Sequence, residues 1–256
     1  YMNSFNGHLF NLRSDTPDLR DLSFSDVAQS VQHLRLPRKV DLRDKCPKPT
    51  DQLSLGACTG HAGAFARTML AKDPKLDLSE LYLYYMERVI EGKVDEDSGA
   101  SIRTICKALH KYGICEEKYM PYIIERFKEP PTNAVHENAA KYKINAYRSL
   151  HSLLQIKQCL AFRQQPVLVG MEVYESFFDT GQNGEMNINI AGEKHVGNHA
   201  VAVVGYEDLY FNILVGYKGY LIIRNSWGKN WGDHGYFYMP YAYVNRGHVW
   251  DFWTIE

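Results

Sequence analysis

Three separated residues have side chains suited to nucleophilic catalysis. Cys58 lies among small residues at the start of a helical pattern, where the helix dipole favours a thiolate. His199 opens an otherwise apolar strand, and Asn225 lies at a strand end before a segment rich in Trp and Gly. Each residue alone has an ordinary structural explanation: a buried thiol, a core histidine and an asparagine turn. Together they would supply a nucleophile, its base and a group that orients the base.

Four segments contain these residues in a fixed order. The segments are Leu36-Pro37-Arg38-Lys39-Val40-Asp41-Leu42-Arg43, Gln52 through Cys58, Asn198-His199 through Tyr206, and Asn225-Ser226-Trp227-Gly228-Lys229-Asn230-Trp231-Gly232. His199 follows Cys58 by 141 residues, and Asn225 follows His199 by 26. With this order and spacing, residues 37–256 resemble the papain-like cysteine peptidases.

The resemblance implies a catalytic role for each matching residue. Cys58 would be the nucleophile, in a thiolate–imidazolium pair with His199, and Asn225 would orient the imidazole ring. Gln52 would donate its side-chain amide to the oxyanion, together with the backbone N–H of Cys58.

The resemblance also implies which residues bind the substrate peptide. They are Ser98, Gly99, Ala100, Gly170, Asn198, Trp227 and Trp231. The backbone of residues 98–100 would pair with the extended substrate. Gly170 would leave the S2 pocket open to bulky side chains. Trp227 would cover the His–Asn hydrogen bond, and Trp231 would lie beneath the leaving group.

The chain departs from the family pattern near the nucleophile. Thr59 replaces the usual tryptophan after the cysteine, and Leu55 replaces a cysteine that normally forms a disulfide. A short N-terminal arm stands in place of the long helical propeptide. These departures favour a bacterial or large-virus branch. His61, three residues after Cys58, is interpreted as a histidine that packs or faces a polar pocket, not as the base.

The elements that must hold these residues divide along the chain. Helical patterns are predicted near 58–70, 79–90, 101–112 and 152–163, and strands near 166–173, 199–206, 220–225, 235–239 and 249–255. The expected fold is α+β, with a helical half, an antiparallel β-barrel-like half and an active-site cleft between them. We expect an N-terminal arm or short pro-segment over 1–36 and a catalytic domain over 37–256. Its helical subdomain would cover about 37–145 and its β subdomain about 146–256.

Composition limits the other functions open to the chain. Its 256 residues are 45% hydrophobic with a formal net charge of −1, which argues against a nucleic-acid partner. No apolar stretch is long enough for a membrane span. His195 and His199 are spaced by four residues across a strand start, which disfavours a metal pair, and no cofactor is predicted. The expected partners are a peptide or protein substrate and the arm itself as a regulator of the cleft, with the chain a monomer.

The cysteines give a weaker prediction. The chain has five, so at least one thiol is free. Cys46 and Cys115 both lie in turn-like sequence and are predicted to form one disulfide. Cys106 and Cys159 lie on apolar helix faces and are predicted to be buried thiols. A secreted, periplasmic or virion-associated location is favoured over a cytoplasmic one.

Three functions stay open from the sequence. The first is a cysteine-type endopeptidase that acts through a covalent acyl-enzyme. The second is an acyl transferase or exopeptidase that uses the same residues. The third is a catalytically silent binding module, which the presence of Cys58 disfavours.

Overall fold

A computed structural model describes residues 4–5, 7–31, 33–73, 75–212 and 217–256. The α-helices of this part of the chain are α1 (Ser25–Ala28), α2 (Cys58–Ala71), α3 (Glu80–Glu91), α4 (Ile102–Lys111), α5 (Asn133–Ala139), α6 (Leu153–Gln158) and α7 (Tyr241–Asn245). The strands are β1 (Ser4–Phe5), β2 (His8–Leu9), β3 (Lys39–Asp41), β4 (Tyr147–Leu150), β5 (Val167–Tyr174), β6 (His195–Asn212), β7 (Tyr217–Arg224), β8 (Tyr236–Pro240) and β9 (Val249–Ile255). The order is that of an α+β fold, with the longer helices first and the large sheet after them.

The larger sheet is antiparallel and carries the catalytic candidates at one end. Its strands follow the order β4-β9-β5-β6-β7-β8, and β3 pairs with β6 beside this path. Ala202 on β6 pairs with Arg224 on β7, so the residue after β7 lies near the start of β6. This register brings Asn225 toward His199, although 26 residues separate them in the sequence.

Two helices of the first half, α3 and α4, begin at the serine residues that their sequences predict as caps. The hydroxyl of Ser79 accepts a hydrogen bond from the backbone of Tyr82, and Gly92 ends α3 in a left-handed conformation. Ser101 caps α4 in the same way, through the backbone of Thr104. α2 packs against α3 and α4 on one side and against β6 on the other, so the nucleophile's helix joins the two halves of the core.

Several elements differ from the sequence prediction. β3 is a strand within the region assigned to the helical subdomain, and it forms because Lys39–Asp41 finds a long-range partner on β6. β6 extends well beyond Tyr206, because its backbone continues to pair with β7 as far as Asn212. A single helix is predicted over 152–163. In the structure the α-helix ends at Gln158, and a π-helical turn follows over Cys159–Arg163. In the described part of the arm, one short helix forms over Ser25–Ala28.

The arm over residues 1–36 packs against the rest of the chain through part of its apolar side chains. Phe10, Leu12 and Phe24 are buried, and each contributes about 1.5–3 kcal/mol of burial free energy. Leu19 and Leu22 are exposed, so only part of the apolar surface of the arm is buried. Backbone hydrogen bonds add to the contact, with the amide of Phe24 donating to the carbonyl of Ser149 at 2.8 Å.

The predicted Cys46–Cys115 disulfide is wrong, because all five cysteines are free in the structure. The Cys46 thiol donates to the carbonyl of Leu42 and lies beside Tyr236, next to the sheet. Cys115 lies beside Ser79 at the start of α3. Turn-like sequence around both cysteines therefore does not bring their side chains together. Across the described residues no helix is long and apolar enough to cross a membrane.

The free cysteines lead to a simple prediction. Thiol titration of the denatured, unreduced protein should give five groups per chain, because no pair of cysteines is bonded. A parallel titration after reduction is the control and should give the same number. A count of three before reduction and five after it would contradict the structure and restore the bridge.

Candidate active site

Cys58 is the first residue of α2 and is completely buried. No side chain caps this helix, so its first N–H groups and the positive end of its dipole face the nucleophile. The loop before the helix is held by Asp97, whose carboxylate accepts the backbone N–H of Gly56 at 3.0 Å. The hydroxyl of Tyr84 donates to the same carboxylate at 2.5 Å.

His199 and Asn225 form a buried hydrogen bond at the end of the sheet. His199 Nε2 and Asn225 Oδ1 are 2.8 Å apart. The backbone N–H of Ser226 donates to the same oxygen at 2.8 Å. Trp227 lies beside the imidazole, with ring centroids 5.4 Å apart, and Trp231 packs edge-on against Trp227. The aromatic rings keep solvent away from the hydrogen bond.

Gln52 connects the segment before the nucleophile to the segment after Asn225. Its backbone N–H donates to the carbonyl of Ser226 at 2.9 Å, and its side-chain oxygen accepts the Ser226 hydroxyl at 2.6 Å. One hydrogen of its amide nitrogen is donated to the carbonyl of Leu55 at 3.1 Å. The second amide hydrogen has no acceptor among the described residues and is available to bind a ligand.

The arm runs along the cleft between α2 and the sheet. His8 stacks on Trp227 with ring centroids 4.4 Å apart and planes at 14°. Phe10 packs edge-on against both Trp227 and His199. Further along the arm, the methyl carbon Cδ2 of Leu12 lies 2.9 Å from the point where a side chain on Gly170 would begin. The arm thus covers the candidate triad.

The residues predicted to pair with a peptide backbone do so with the arm. The N–H of Arg13 donates to the carbonyl of Ala100 at 3.0 Å. Gly99 has a φ of +64°, and a Cβ there would lie 2.2 Å from the carbonyl oxygen of Asn11, so only glycine permits this approach. Asn198 exchanges two long hydrogen bonds of 3.4 Å with the backbone of Leu12.

Burial sets the charge state of the covered pair. Loss of solvent raises the pKa of the Cys58 thiol to about 12 and lowers the pKa of His199 to about 4. His199 Nδ1 is buried and has no hydrogen-bond partner among the described residues. With the arm in place, the neutral thiol and the neutral imidazole are therefore favoured over the ion pair that the sequence predicts.

Several residues around the site were not found from the sequence. Asp97 carries no signal that separates it from the neighbouring acidic residues, and only the fold shows that it holds the nucleophile loop. Phe178 stacks on Trp227 with ring centroids 5.5 Å apart, and the Phe177-Phe178 pair in a polar stretch was the available signal. His195 points to Asn198 at 3.2 Å and not to a shared metal position with His199.

The site combines a buried cysteine at a helix start with a buried His–Asn hydrogen bond, and comparisons with known proteins give its class. A family model described as papain family cysteine protease matches residues 36–249. An uncharacterised peptidase C1-like protein of Acanthamoeba polyphaga mimivirus is 31% identical over 277 residues, which cover 96% of this chain and 86% of that protein. Vignain of Phaseolus vulgaris is 26% identical and matches 80% of this chain but 54% of its own length.

Solved structures give the same result. Xylellain, a cysteine protease from Xylella fastidiosa, is 34% identical and superposes with a TM-score of 0.82, covering 96% of this chain and 95% of its own. Digestive procathepsin L 3 of Tenebrio molitor, at 21% identity and a TM-score of 0.66, shares the fold over 88% of this chain and 71% of its own. The chain belongs to the papain family of cysteine proteases.

The stacked position of His8 predicts a pH dependence for arm docking. Burial lowers the pKa of His8 in the docked arm, despite the opposing charge of Asp51 and a backbone hydrogen bond with Leu53. The free arm has the ordinary pKa of about 6.5, so acid protonates the free form first and weakens docking as the pH falls below that value. At pH 5.5 the equilibrium constant for docking of the arm should fall by at most about tenfold.

Hydrogen exchange of the Leu12 and Arg13 amides measures this effect, since both are hydrogen-bonded in the docked arm. Between pH 7.5 and 5.5 their protection should fall more in the wild type than in a His8→Phe variant, which keeps the stacking and loses the titration. Asp251 lies near the arm and its pKa is raised to about 6, mainly by burial, which opposes the effect of His8. Asp251 is common to both proteins and cancels in the comparison. Equal loss of protection in both would contradict the prediction.

Proposed function

We propose that the chain is a cysteine-type endopeptidase that cleaves peptide bonds through an acyl-enzyme on Cys58. The observation that carries the proposal is the buried His199–Asn225 hydrogen bond at the end of the sheet, with Cys58 at the start of α2 beside the backbone of Ala200, the residue after His199. The same cleft holds an extended polypeptide, namely the chain's own arm, through backbone hydrogen bonds. A cleft with these contacts suits a peptide substrate.

The chemistry follows from the residues in the cleft. When the arm is displaced, water and substrate enter, and the proton of Cys58 passes to His199, whose charged ring is stabilised by Asn225. The thiolate attacks the carbonyl carbon of the substrate, and the oxyanion is bound by the backbone N–H of Cys58 and the free amide hydrogen of Gln52. His199 then protonates the leaving amine as the C–N bond breaks. A water molecule hydrolyses the thioester and restores the thiol.

The arm lies in the cleft with the opposite chain direction to that of a substrate. Gly170 and Gly99 line the side that binds the acyl part, and Trp227 and Trp231 line the leaving-group side. The arm passes from His8 at Trp227 to Leu12 at Gly170, so it runs from the leaving-group side to the acyl side. A substrate must run the other way. The reversed direction supports a role for the arm as a regulator that occupies the cleft without presenting a peptide bond for cleavage.

The space beside Gly170 supports a preference for large apolar residues at the second position before the cleaved bond. Leu12 fills this space in the covered form, and the indole of Trp250 closes its far side. A Cβ on residue 170 would lie 2.9 Å from Leu12 and 3.1 Å from Trp250, so the glycine leaves room for a bulky side chain.

The function is tested with internally quenched peptides and mass analysis of the products. We expect cleavage at internal peptide bonds that have a bulky apolar residue at the second position before the cleaved bond. The Cys58→Ala variant should cleave no peptide. His199→Ala should reduce the rate by about 10²–10⁴-fold, as removal of a general base does. Asn225→Ala should reduce it less, because Asn225 only orients the ring. Release of single terminal residues would favour an exopeptidase, and transfer to an added amine an acyl transferase. Cleavage that survives Cys58→Ala would exclude the proposal.

The regulatory role of the arm is tested by a matched pair of substitutions. Leu12→Asp places a carboxylate in an apolar space and removes a buried side chain, so docking should weaken by about 10–100-fold. The rate on a short peptide, and the rate of Cys58 alkylation by iodoacetamide, should both rise. Leu19→Asp is the control, because Leu19 is fully exposed in the same arm. Equal rates for the two variants would show that the arm is structural.

A further inference from the structure

Two buried polar atoms beneath the triad lack hydrogen-bond partners among the described residues: Asn225 Nδ2 and His61 Nε2. The side-chain amide of Asn225 cannot be flipped by exchanging the positions of Oδ1 and Nδ2. Its oxygen is the acceptor for two groups, His199 Nε2 and the backbone N–H of Ser226. A flipped amide would place the donor Nδ2 opposite the N–H groups of His199 and Ser226, which are donors themselves. The Nδ2 atom must therefore donate elsewhere, since an unpaired buried donor is costly.

Both residues line the same small cavity. It has a volume of about 10 Å³ and lies between α2 and the strands β6 and β7, on the side of Asn225 away from the cleft. A cavity of this size is close to the minimum that holds one water molecule, and a bound water needs at least two polar partners. The orphaned atoms of His61 and Asn225 supply them.

His61 is held in place from its other side. Its Nδ1 atom lies 2.8 Å from the hydroxyl of Thr50 and 3.6 Å from a carboxylate oxygen of Glu80. The ring of Tyr122 packs edge-on against it at 4.7 Å. Burial lowers the pKa of His61 to about 3, so the ring is neutral and offers one N–H and one lone pair.

The position of His61 on α2 explains why it reaches this cavity. It lies three residues after Cys58, and residues three apart share one face of a helix. That face packs against β6, the strand that carries His199. One helix therefore presents the nucleophile to the cleft and, one turn later, a neutral histidine to the back of the triad.

We propose that this cavity binds a single water molecule that bridges His61 Nε2 and Asn225 Nδ2, and that His61 through this water is a positioning residue for the triad. Asn225 donates to the water oxygen. The water donates to His61 Nε2 in one imidazole tautomer and accepts from it in the other, so the bridge is satisfied in both. The inference rests on the proposed function, in which Asn225 orients His199.

Two substitutions separate a water-mediated role from a merely structural one. Asn at position 61 reproduces the Nδ1 contact with Thr50 but does not reach the water. Gln reproduces the Nε2 position and loses the contact with Thr50. If the water bridge matters, His61→Asn should lower kcat/KM by about three- to tenfold, the range expected for loss of one neutral hydrogen bond, and His61→Gln should stay within threefold of the wild type.

The pH profile gives a readout that stability alone does not move. The hydrogen bond that Asn225 Oδ1 accepts from His199 Nε2 favours the charged form of His199. A loosened Asn225 should therefore shift the alkaline limb of kcat/KM to lower pH in His61→Asn and leave it in place in His61→Gln. His136→Asn is the control: His136 bonds Tyr82 at 3.0 Å, away from the site, and its loss should not move the limb.

A high-resolution crystal structure of the wild type tests the bridge directly. An ordered water within about 3.2 Å of both His61 Nε2 and Asn225 Nδ2 is expected. A dry cavity, or the reverse order of activity with His61→Gln the weaker variant, would overturn the inference while the wild type still cleaves peptides. Failure of the wild type to cleave any peptide, with the water present, would count against the proposed function and not against the bridge.

Discussion

The hydrogen bond between His199 and Asn225 depends on the pairing of β6 with β7. The two residues are far apart along the chain and meet because Ala202 pairs with Arg224, which sets the start of one strand beside the end of the other. Cys58 must then approach this pair from a different element, the N-terminus of α2. The packing of α2 against β6 therefore fixes the position of Cys58 relative to His199 and Asn225. The helices α3 and α4 also pack against α2.

Polar groups buried around that contact hold the loops that converge on it. Asp97 binds the loop before Cys58, and Gln52 binds the residue after Asn225. Thr59, where the family usually has tryptophan, donates at 2.5 Å to the buried carboxyl of Glu87 on α3. Burial raises the pKa of Glu87 to about 8, which keeps this carboxyl neutral near pH 7 and adds no negative charge beside the nucleophile. Each hydrogen bond joins segments that are distant in the sequence.

When the arm is docked, it buries the active site and thereby disfavours the ionised forms of Cys58 and His199. Solvent or a mutual hydrogen bond would stabilise a thiolate and an imidazolium, but in the docked form the site is buried and His199 Nδ1 has no hydrogen-bond partner among the described residues. The covered site consequently favours neutral Cys58 and His199. Steric occupation of the cleft and suppression of the ion pair thus both follow from docking of the arm, in which Phe10 packs against His199 and Leu12 fills the space at Gly170.

The sequence by itself determined the family and the α+β class, and it predicted Cys58, His199, Asn225 and Gln52 as the site residues, because the order and spacing of these motifs are local features of the chain. Helix boundaries at Ser79, Gly92 and Ser101 were also readable, since capping depends on neighbouring residues. Only the tertiary structure decided the pairing of β3 with β6, the separation of Cys46 from Cys115, the direction of the arm and the cavity shared by His61 and Asn225. These features depend on which distant segments meet, and burial then decides which charges and hydrogen bonds the meeting residues can keep.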